Sequence, residues 1–230
     1  DPLPADADET DPDSYGSAKS ACEGLVQAFF ADRSMACRAG LVVGPGDPSD
    51  RFGYWPAALS RGGAVLAPGP ADALMQVIDV ADLAGWLVDA CEQRLVGVYD
   101  AVGPAQPMAT LLDAMRDAVG STAELVWADP DWLTAHGVAG WSGPESLPLW
   151  IPPDPDWTGF GARSGAKARE AGLRLRPLAD TARETLADEQ ARGLDRDRRA
   201  GLTWVRQDEL VAACRGGPVQ GVSPAALSEG

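Results

Sequence analysis

Apolar residues recur with a helical period near the start of the chain and then give way to short, unbroken apolar runs. Between Ser14 and Arg33 their spacing of i, i+3, i+4 and i+7 predicts an amphipathic helix. The run from Met35 to Val43 predicts a buried parallel strand. A helix followed by a buried strand is half of a β-α-β unit, so we expect an α/β fold.

The same alternation of helical and strand-like patterns continues along the chain. It predicts helices at 52–61, 79–90, 107–119, 129–136, 164–171, 178–191 and 203–215, and strands at 64–67, 75–78, 95–101 and 123–127. Residues 137–163 are rich in glycine, proline and tryptophan and are expected to form a long irregular connection. The charge run 195–199 is most simply a solvated surface segment.

Composition excludes several classes of function. The net charge of −15 argues against nucleic acid or an anionic membrane surface as a partner. The acidic N-terminus lacks an apolar signal region, and no apolar run approaches the length of a membrane span, so we expect a cytoplasmic protein. Four cysteines without a Cys-x-x-Cys pair predict neither a metal nor a redox site, and Cys22 and Cys37 are expected to be reduced core residues. His136, the single histidine, cannot build a multi-histidine metal site.

Tyr15 and Lys19 are the first candidates for chemistry. They are four residues apart in the predicted first helix, so both side chains lie on one face. A phenol beside an ammonium is suited to proton transfer, because the positive charge favours the phenolate. On spacing alone, the simpler alternative is an exposed tyrosine over a solvated lysine.

Several segments resemble, in order and spacing, the extended short-chain dehydrogenase/reductases, and most closely their NAD-dependent epimerase/dehydratase branch. The resemblance spans roughly residues 9–190 and includes a strand that ends in Gly-Pro-Gly and a C-terminal Pro-Leu helix. It is carried by Tyr15-Gly-Ser-Ala-Lys19, Arg38-Ala-Gly-Leu-Val-Val-Gly-Pro-Gly46, Val77-Ile-Asp-Val-Ala-Asp-Leu-Ala84, Ser164-Gly-Ala-Lys-Ala-Arg-Glu-Ala-Gly-Leu173 and Arg176-Pro-Leu-Ala-Asp-Thr-Ala-Arg-Glu-Thr-Leu186.

The resemblance implies a fold and a chemistry. The fold would be the C-terminal part of a Rossmann-like parallel sheet with a smaller α/β substrate subdomain. Tyr15 would be the general acid/base at a hydroxyl or carbonyl of a small substrate, such as a sugar nucleotide. Lys19 would support Tyr15 and hydrogen-bond the nicotinamide ribose of NAD or NADP. The backbone at Val43, Gly44 and Pro45 would border the nicotinamide.

The resemblance also implies a domain division and an assembly. Residues 1–46 would be a remnant of the Rossmann-like domain, containing the catalytic helix and the following strand. Residues 47–215 would form a mixed substrate subdomain with returning Rossmann elements, and 216–230 a loose tail. Members of this family often dimerise through the helix that carries the tyrosine, so a homodimer through Tyr15–Arg33 is expected.

Two parts of the family pattern have no counterpart here. One is the Gly-x-x-Gly-x-x-Gly turn on the first strand, and the other is the catalytic Ser or Thr that precedes the tyrosine. Ser14 and Ser17 are too close to Tyr15 to take the second role. We therefore expect a truncated relative, and the alternative is a catalytically inactive binding or interaction module that no longer holds the dinucleotide.

Arg51 is the candidate for substrate binding outside the Tyr-Lys pair. It lies in the predicted loop after the Gly-Pro-Gly turn, where a guanidinium could bind a substrate carboxylate or phosphate. A surface salt bridge to Asp47 or Asp50 is the simpler interpretation. Five tryptophans between 127 and 157 either fill a loop-rich subdomain, which we favour, or form a wall against which a substrate stacks.

Overall fold

A computed structural model describes residues 15–157 and 159–216 and confirms the α/β fold class. The helices are α1 (Tyr15–Phe30), α2 (Tyr54–Ser60), α3 (Val80–Glu92), α4 (Met108–Ala118), α5 (Pro130–Ala135), α6 (Ala166–Glu170), α7 (Leu178–Arg192) and α8 (Trp204–Cys214). The strands are β1 (Met35–Ala39), β2 (Leu41–Val43), β3 (Ala64–Pro68), β4 (Leu74–Met75), β5 (Val77–Asp79), β6 (Gly97–Ala101), β7 (Gln106–Pro107), β8 (Glu124–Ala128), β9 (Ala139–Trp141), β10 (Gly143–Pro144), β11 (Ser146–Pro148) and β12 (Ala200–Gly201).

The chain forms two compact units, each assembled from three separate segments. The first unit contains residues up to 42, 76–104 and 162–176, and the second contains 43–75, 105–161 and the chain from 177 onward. The predicted division into 1–46, 47–215 and 216–230 stays a prediction, and most of its proposed tail lies outside the described residues.

The first unit is built on parallel strand pairing. β1 pairs with β6 in parallel over its whole length, and β2 pairs with β5. The predicted single strand 35–43 is interrupted at Gly40, whose N–H donates to the Ala101 carbonyl at 2.9 Å. Asp79 ends β5 and caps α3, because its Oδ1 accepts from the Ala81 N–H at 2.8 Å. The buried core consists of Ile78, Leu83, Trp86, Ala90, Tyr99, Ala101, Ala168 and Leu173.

Helix α1 differs from the amphipathic core helix that the sequence predicted. It ends at Phe30, and none of its residues is buried. Phe29 is 75% exposed, and Leu25 is exposed as well. Cys22 is exposed, so its prediction as a core residue is wrong, whereas Cys37 is half-buried and its burial raises the pKa of the thiol. The helical period was therefore real, but the apolar face has no covering element among the described residues.

The second unit encloses the larger aromatic core. β3 and β8 pair in parallel, α8 packs on β3, and α2 packs on α4 and α7. Trp55 is fully buried and donates its indole N–H to the Pro148 carbonyl at 2.9 Å. The region 137–163 is less irregular than predicted, because β9 pairs with β11 and β10 pairs with β12.

A buried ion cluster joins α7 to the loop that follows β2. The Asp50 carboxylate is 3% exposed and accepts from the Arg196 and Arg192 guanidinium groups, the latter at 2.9 Å. Glu189, 2% exposed, binds Arg196 at 3.0 Å and Arg198 at 3.1 Å. The interpretation of 195–199 as a solvated charge run is therefore wrong, because two of its arginines neutralise the buried carboxylates.

We predict that Asp50→Asn lowers the free energy of unfolding by about 3 kcal/mol, because it removes a buried carboxylate that pairs with the guanidinium groups of Arg192 and Arg196. Asp180→Asn is the matched control, since Asp180 and Arg183 form an exposed pair at 2.7 Å. That control should cost less than about 1 kcal/mol. Urea unfolding at neutral pH measures both, and equal losses would contradict the role of the cluster.

We also expect the stabilisation by the Asp50 carboxylate to depend on pH in the acidic range. Burial raises the pKa of Asp50, but hydrogen bonds from Arg196 and the Arg199 N–H and the nearby arginine charges outweigh it, so the pKa lies below its ordinary value. A lowered pKa in the folded state means that the stabilisation is complete above the unfolded pKa of about 3.9 and is lost as the pH falls through the folded pKa. The difference in free energy of unfolding between wild type and Asp50→Asn should therefore decrease as the pH falls below about 3.9. Urea unfolding at a series of pH values measures this difference, and a difference that does not change with pH would contradict the prediction.

Candidate functional site

Tyr15 and Lys19 occupy the first two turns of α1 and lie on the same side of the helix, as their spacing predicted. The Lys19 ammonium is 6.0 Å from the centroid of the Tyr15 ring. Both side chains are exposed, and Tyr15 is 69% accessible to solvent. The pair is thus open to a ligand, while its catalytic role stays a prediction.

Tyr15 differs in accessibility from the other tyrosines. Tyr54 is fully buried, with its hydroxyl donating to Gln207 at 2.8 Å, and burial raises its pKa. Tyr99 is buried in the core of the first unit. Its ring lies 4.3 Å from the Lys167 ammonium, which also donates to the Val98 carbonyl at 2.7 Å. Of the chain's three tyrosines, all within the described ranges, only Tyr15 presents its phenol to solvent.

The carboxyl end of β2 carries the next predicted residues. Val43 is buried, and Gly44 is buried with a φ of 131°, a conformation that favours glycine. Pro45 is exposed at the turn, which closes when the Asp47 N–H donates to the Gly44 carbonyl at 3.3 Å. Only Pro45 of these three residues is exposed, and the contact of the turn with a nicotinamide stays a prediction.

The turn is fixed to α7 by hydrogen bonds. The Gly46 N–H donates to Asp188 at 3.1 Å, and Arg192 donates to the Asp47 carbonyl at 3.3 Å. Asp50 has a φ of 60°, and its carboxylate pairs with Arg192 at 2.9 Å. Helix α7 therefore holds the loop from Gly46 to Asp50 by its side chains.

Arg51 does not form the salt bridge that the sequence favoured. Among the described residues it has no ion pair, because Asp50 binds the buried arginines and Asp47 accepts from the Ser49 N–H and hydroxyl. Its guanidinium instead lies 4.6 Å above the centroid of the Trp141 ring, and its Nε donates to the Ser49 hydroxyl at 3.1 Å. The sequence could not have paired Arg51 with Trp141, since ninety positions separate them.

Other candidate groups have structural roles. His136 stacks on Trp132 at 3.8 Å and its Nδ1 lies 2.8 Å from the Trp132 carbonyl, which commits the ring to the end of α5. Within the described ranges, no group of three or more His, Cys, Asp or Glu residues could hold a metal ion. No helix in that part of the chain is long and apolar enough to cross a membrane.

One glycine pattern escaped the sequence analysis. Gly137, Gly140 and Gly143 have the Gly-x-x-Gly-x-x-Gly spacing of a dinucleotide turn. In the structure this segment follows helix α5 and contains β9, and no helix begins at its end. A phosphate-binding fingerprint needs a strand, a tight turn and then a helix. The spacing is therefore a coincidence of a loop that contains short strands.

Several solved structures share this fold, among them two nucleotide-sugar epimerases. A UDP-N-acetylglucosamine 4-epimerase from Methanobrevibacter ruminantium M1, in complex with UDP-N-acetylmuramic acid, is 16% identical with a TM-score of 0.57, covering 84% of this chain and 58% of that chain. RMD from Pseudomonas aeruginosa, complexed with NADPH, is 16% identical with a TM-score of 0.53, covering 78% and 56%. The UDP-glucose 4-epimerase of Thermus thermophilus, complexed with NAD, is 18% identical with a TM-score of 0.51, covering 82% and 60%.

These structures confirm, at the level of the fold, the resemblance predicted from the sequence. The chain spans 56–60% of the length of the three solved proteins. No protein-family model matches the sequence. No curated protein matches it either.

We predict that Gly44→Ala destabilises the protein by about 1–3 kcal/mol, because a side chain is strained at this positive φ. The control is Gly85→Ala on the exposed side of α3, where an added Cβ meets nothing within 4 Å. That change should leave the stability equal or raise it by up to about 1 kcal/mol. Thermal unfolding followed by circular dichroism distinguishes the two, and a neutral Gly44→Ala would contradict the strained turn.

Proposed function

We propose that this chain contributes the acid/base helix and the substrate part of an NAD(P)-dependent oxidoreductase or epimerase of the short-chain dehydrogenase type. The observation that carries the proposal is the exposed Tyr15–Lys19 pair at the start of α1, in a chain that shares its fold with solved complexes of RMD with NADPH and of a UDP-glucose 4-epimerase with NAD. The substrate would be a small hydroxyl or carbonyl compound.

Each residue of the pair has a distinct task in this proposal. The Tyr15 hydroxyl would give a proton to a substrate carbonyl oxygen or take one from a hydroxyl, which its exposure permits. Lys19 would place a positive charge beside the phenol, favouring the phenolate when the proton leaves, and would donate to the ribose of the cofactor. A nicotinamide, when bound, supplies the hydride chemistry that no side chain can provide.

The described residues fit one end of such a cofactor and not the other. In the turn formed by Val43, Gly44 and Pro45, the exposed Pro45 is the residue that a nicotinamide ring could lie against. A pyrophosphate needs the N–H groups of a strand-turn-helix motif, and the glycine spacing at 137–143 lacks that context. Contacts to the phosphates would therefore have to come from other residues.

A sugar nucleotide is the substrate class that we propose. It is supported by the fold shared with epimerases whose solved complexes contain UDP-N-acetylmuramic acid or NAD. The fold does not distinguish epimerase from reductase or dehydratase chemistry. A cytoplasmic location, expected from the sequence, accords with this substrate class.

A catalytically inactive binding module is the second candidate. It is favoured by the absence of a phosphate-binding turn from the described residues. In that case the chain would retain Tyr15 and Lys19 without catalysing the reaction. The two candidates differ in whether the chain binds a nicotinamide cofactor.

We predict that NADH and NADPH titrations, followed by nicotinamide fluorescence, give saturable binding by at least one cofactor. The double change Tyr15→Phe/Lys19→Ala should weaken binding by roughly tenfold or more, because it removes two hydrogen-bonding groups. Lys167→Ala is the matched control, since Lys167 also lies over a tyrosine ring but in the core of the first unit. Lys167→Ala should leave the cofactor affinity unchanged, provided that its melting temperature equals that of the wild type.

Two results would contradict the enzyme proposal. The first is the absence of cofactor binding at millimolar concentration, which would favour the binding module. The second is binding that the double change does not alter. Turnover of UDP-glucose with bound cofactor, lost in Tyr15→Phe alone, would in addition assign the proton transfer to this residue.

We also propose that α1 associates with a second copy of the chain. The apolar side chains of Leu25, Val26, Phe29 and Phe30 are exposed along this helix. Sedimentation velocity should show a dimer that Phe29→Glu converts to a monomer. Val205→Glu on α8 is the control, because Val205 is an equally exposed apolar residue on another helix. A wild type that stays monomeric at all concentrations would contradict the dimer.

A further inference from the structure

Arg51 has hydrogen-bond donors without acceptors. Its Nε donates to the Ser49 hydroxyl at 3.1 Å, and its guanidinium lies 4.6 Å above the Trp141 ring. The two terminal nitrogens have no hydrogen-bond partner within the part of the chain that the structure describes. Burial lowers the pKa of Arg51, with the Asp47 charge opposing the shift, so the guanidinium has lost water contacts. A half-buried cation in this condition is suited to an incoming oxyanion.

The neighbouring acids are committed to other groups. Asp47 accepts from the Ser49 N–H at 2.8 Å and from its hydroxyl at 2.9 Å. Asp50 is buried and pairs with Arg192 and Arg196. Within residues 15–157 and 159–216, Arg51 is therefore a cation without an ion pair, in a protein whose net charge is −15.

Exposed aromatic rings adjoin this cation. Phe160 meets the Trp141 ring edge to face at 5.2 Å and the Trp157 ring at 5.5 Å. Phe160 is 39% exposed and Trp157 is 53% exposed, although rings of this size are usually buried. Trp141 itself has a φ of 66°, a conformation that costs a non-glycine residue free energy. A half-buried, strained Trp141 and two exposed rings beside a guanidinium without an ion pair among the described residues favour a ligand site over a core.

A second arginine–tryptophan stack in the same unit, at Trp204, provides a comparison for the stack of Arg51 on Trp141. Arg61 lies 4.8 Å over Trp204, and Arg198 lies 4.7 Å from the same ring. Here each cation has an acid, since Arg61 pairs with Asp208 at 3.4 Å and Arg198 with Glu189 at 3.1 Å. The stack at Trp141 has the same geometry without the counter-charge, which is the part that a ligand would supply.

We propose that Arg51 and the aromatic face formed by Trp141, Phe160 and Trp157 bind an oxyanion attached to a ring. The terminal nitrogens of Arg51 donate to phosphoryl or carboxylate oxygens, while the aromatic face covers the attached base or sugar. This proposal rests on the proposed function in one respect: if the chain binds a sugar nucleotide, the oxyanion at Arg51 is the anionic end of that substrate. Two sources share this chemistry, the phosphate of a nucleotide and the carboxylate of a sugar acid.

Isothermal titration of the full chain with UDP, glucuronate, uridine and pyrophosphate tests the site. We expect UDP or glucuronate to bind, and UDP to bind more tightly than uridine or pyrophosphate alone. Arg51→Gln should weaken binding by roughly tenfold or more, as expected for loss of a charged hydrogen-bond donor. Trp141→Phe, which keeps an aromatic ring, should weaken it by less, and Arg61→Lys, the control on the compensated stack, should leave it unchanged.

The outcomes separate the two sources and the two proposals. Binding of UDP alone identifies a nucleotide phosphate, and binding of glucuronate alone identifies a carboxylate. The site is overturned if neither binds at millimolar concentration, if Arg51→Gln binds as the wild type does, or if pyrophosphate binds as tightly as UDP. Binding that depends on Arg51 in a chain that takes up no NADH or NADPH would support this site and refute the proposed oxidoreductase.

Discussion

Two buried carboxylates, Asp50 and Glu189, determine the arrangement of the second unit. Buried carboxylates require counter-charges and hydrogen bonds, because their desolvation costs several kcal/mol per ion. Arg192 and Arg196 each contact both acids, and Arg198 completes the cluster from the segment after α7. The loop after β2, helix α7 and the arginine segment are thus joined by a network in which each buried acid binds at least two arginines.

This constraint separates the tasks of two adjacent residues. Asp50 adopts a left-handed φ of 60°, which aspartate tolerates better than most residues. Its side chain enters the ion cluster, while that of Arg51 stacks on Trp141. The two side chains therefore have different partners, and Arg51 retains a charge that a ligand can use.

Local patterns predicted most of the elements, because periodicity and capping are encoded within a few residues. Asp79 caps α3 as its position at the end of an apolar run indicated, and the strand 64–67 is found at Ala64–Pro68. The break at Gly40 was missed, since it depends on a hydrogen bond to Ala101 far along the chain. The same reason explains the failure at 195–199, where the sequence shows alternating charges and the structure buries two of them.

The candidate site was predictable in its residue types and only partly in its contacts. The Tyr15–Lys19 pair depends only on the spacing of two residues within one helix, so the local sequence was enough to predict it. The contact between Arg51 and Trp141 depends on tertiary structure, so no local pattern in the sequence predicts it. The exposure of α1 was likewise invisible to periodicity, which identifies an apolar face but not what covers it.

Amide hydrogen exchange of the loop Gly44–Arg51 tests most directly whether the buried carboxylates hold it in place. Glu189→Gln is the informative variant, because Glu189 accepts from Arg192 and Arg196, which in turn bind the loop through Asp50. We expect the loop amides to lose protection relative to those of strand β3 in the same protein. Equal loss in the loop and in β3, or no loss in either, would contradict the account.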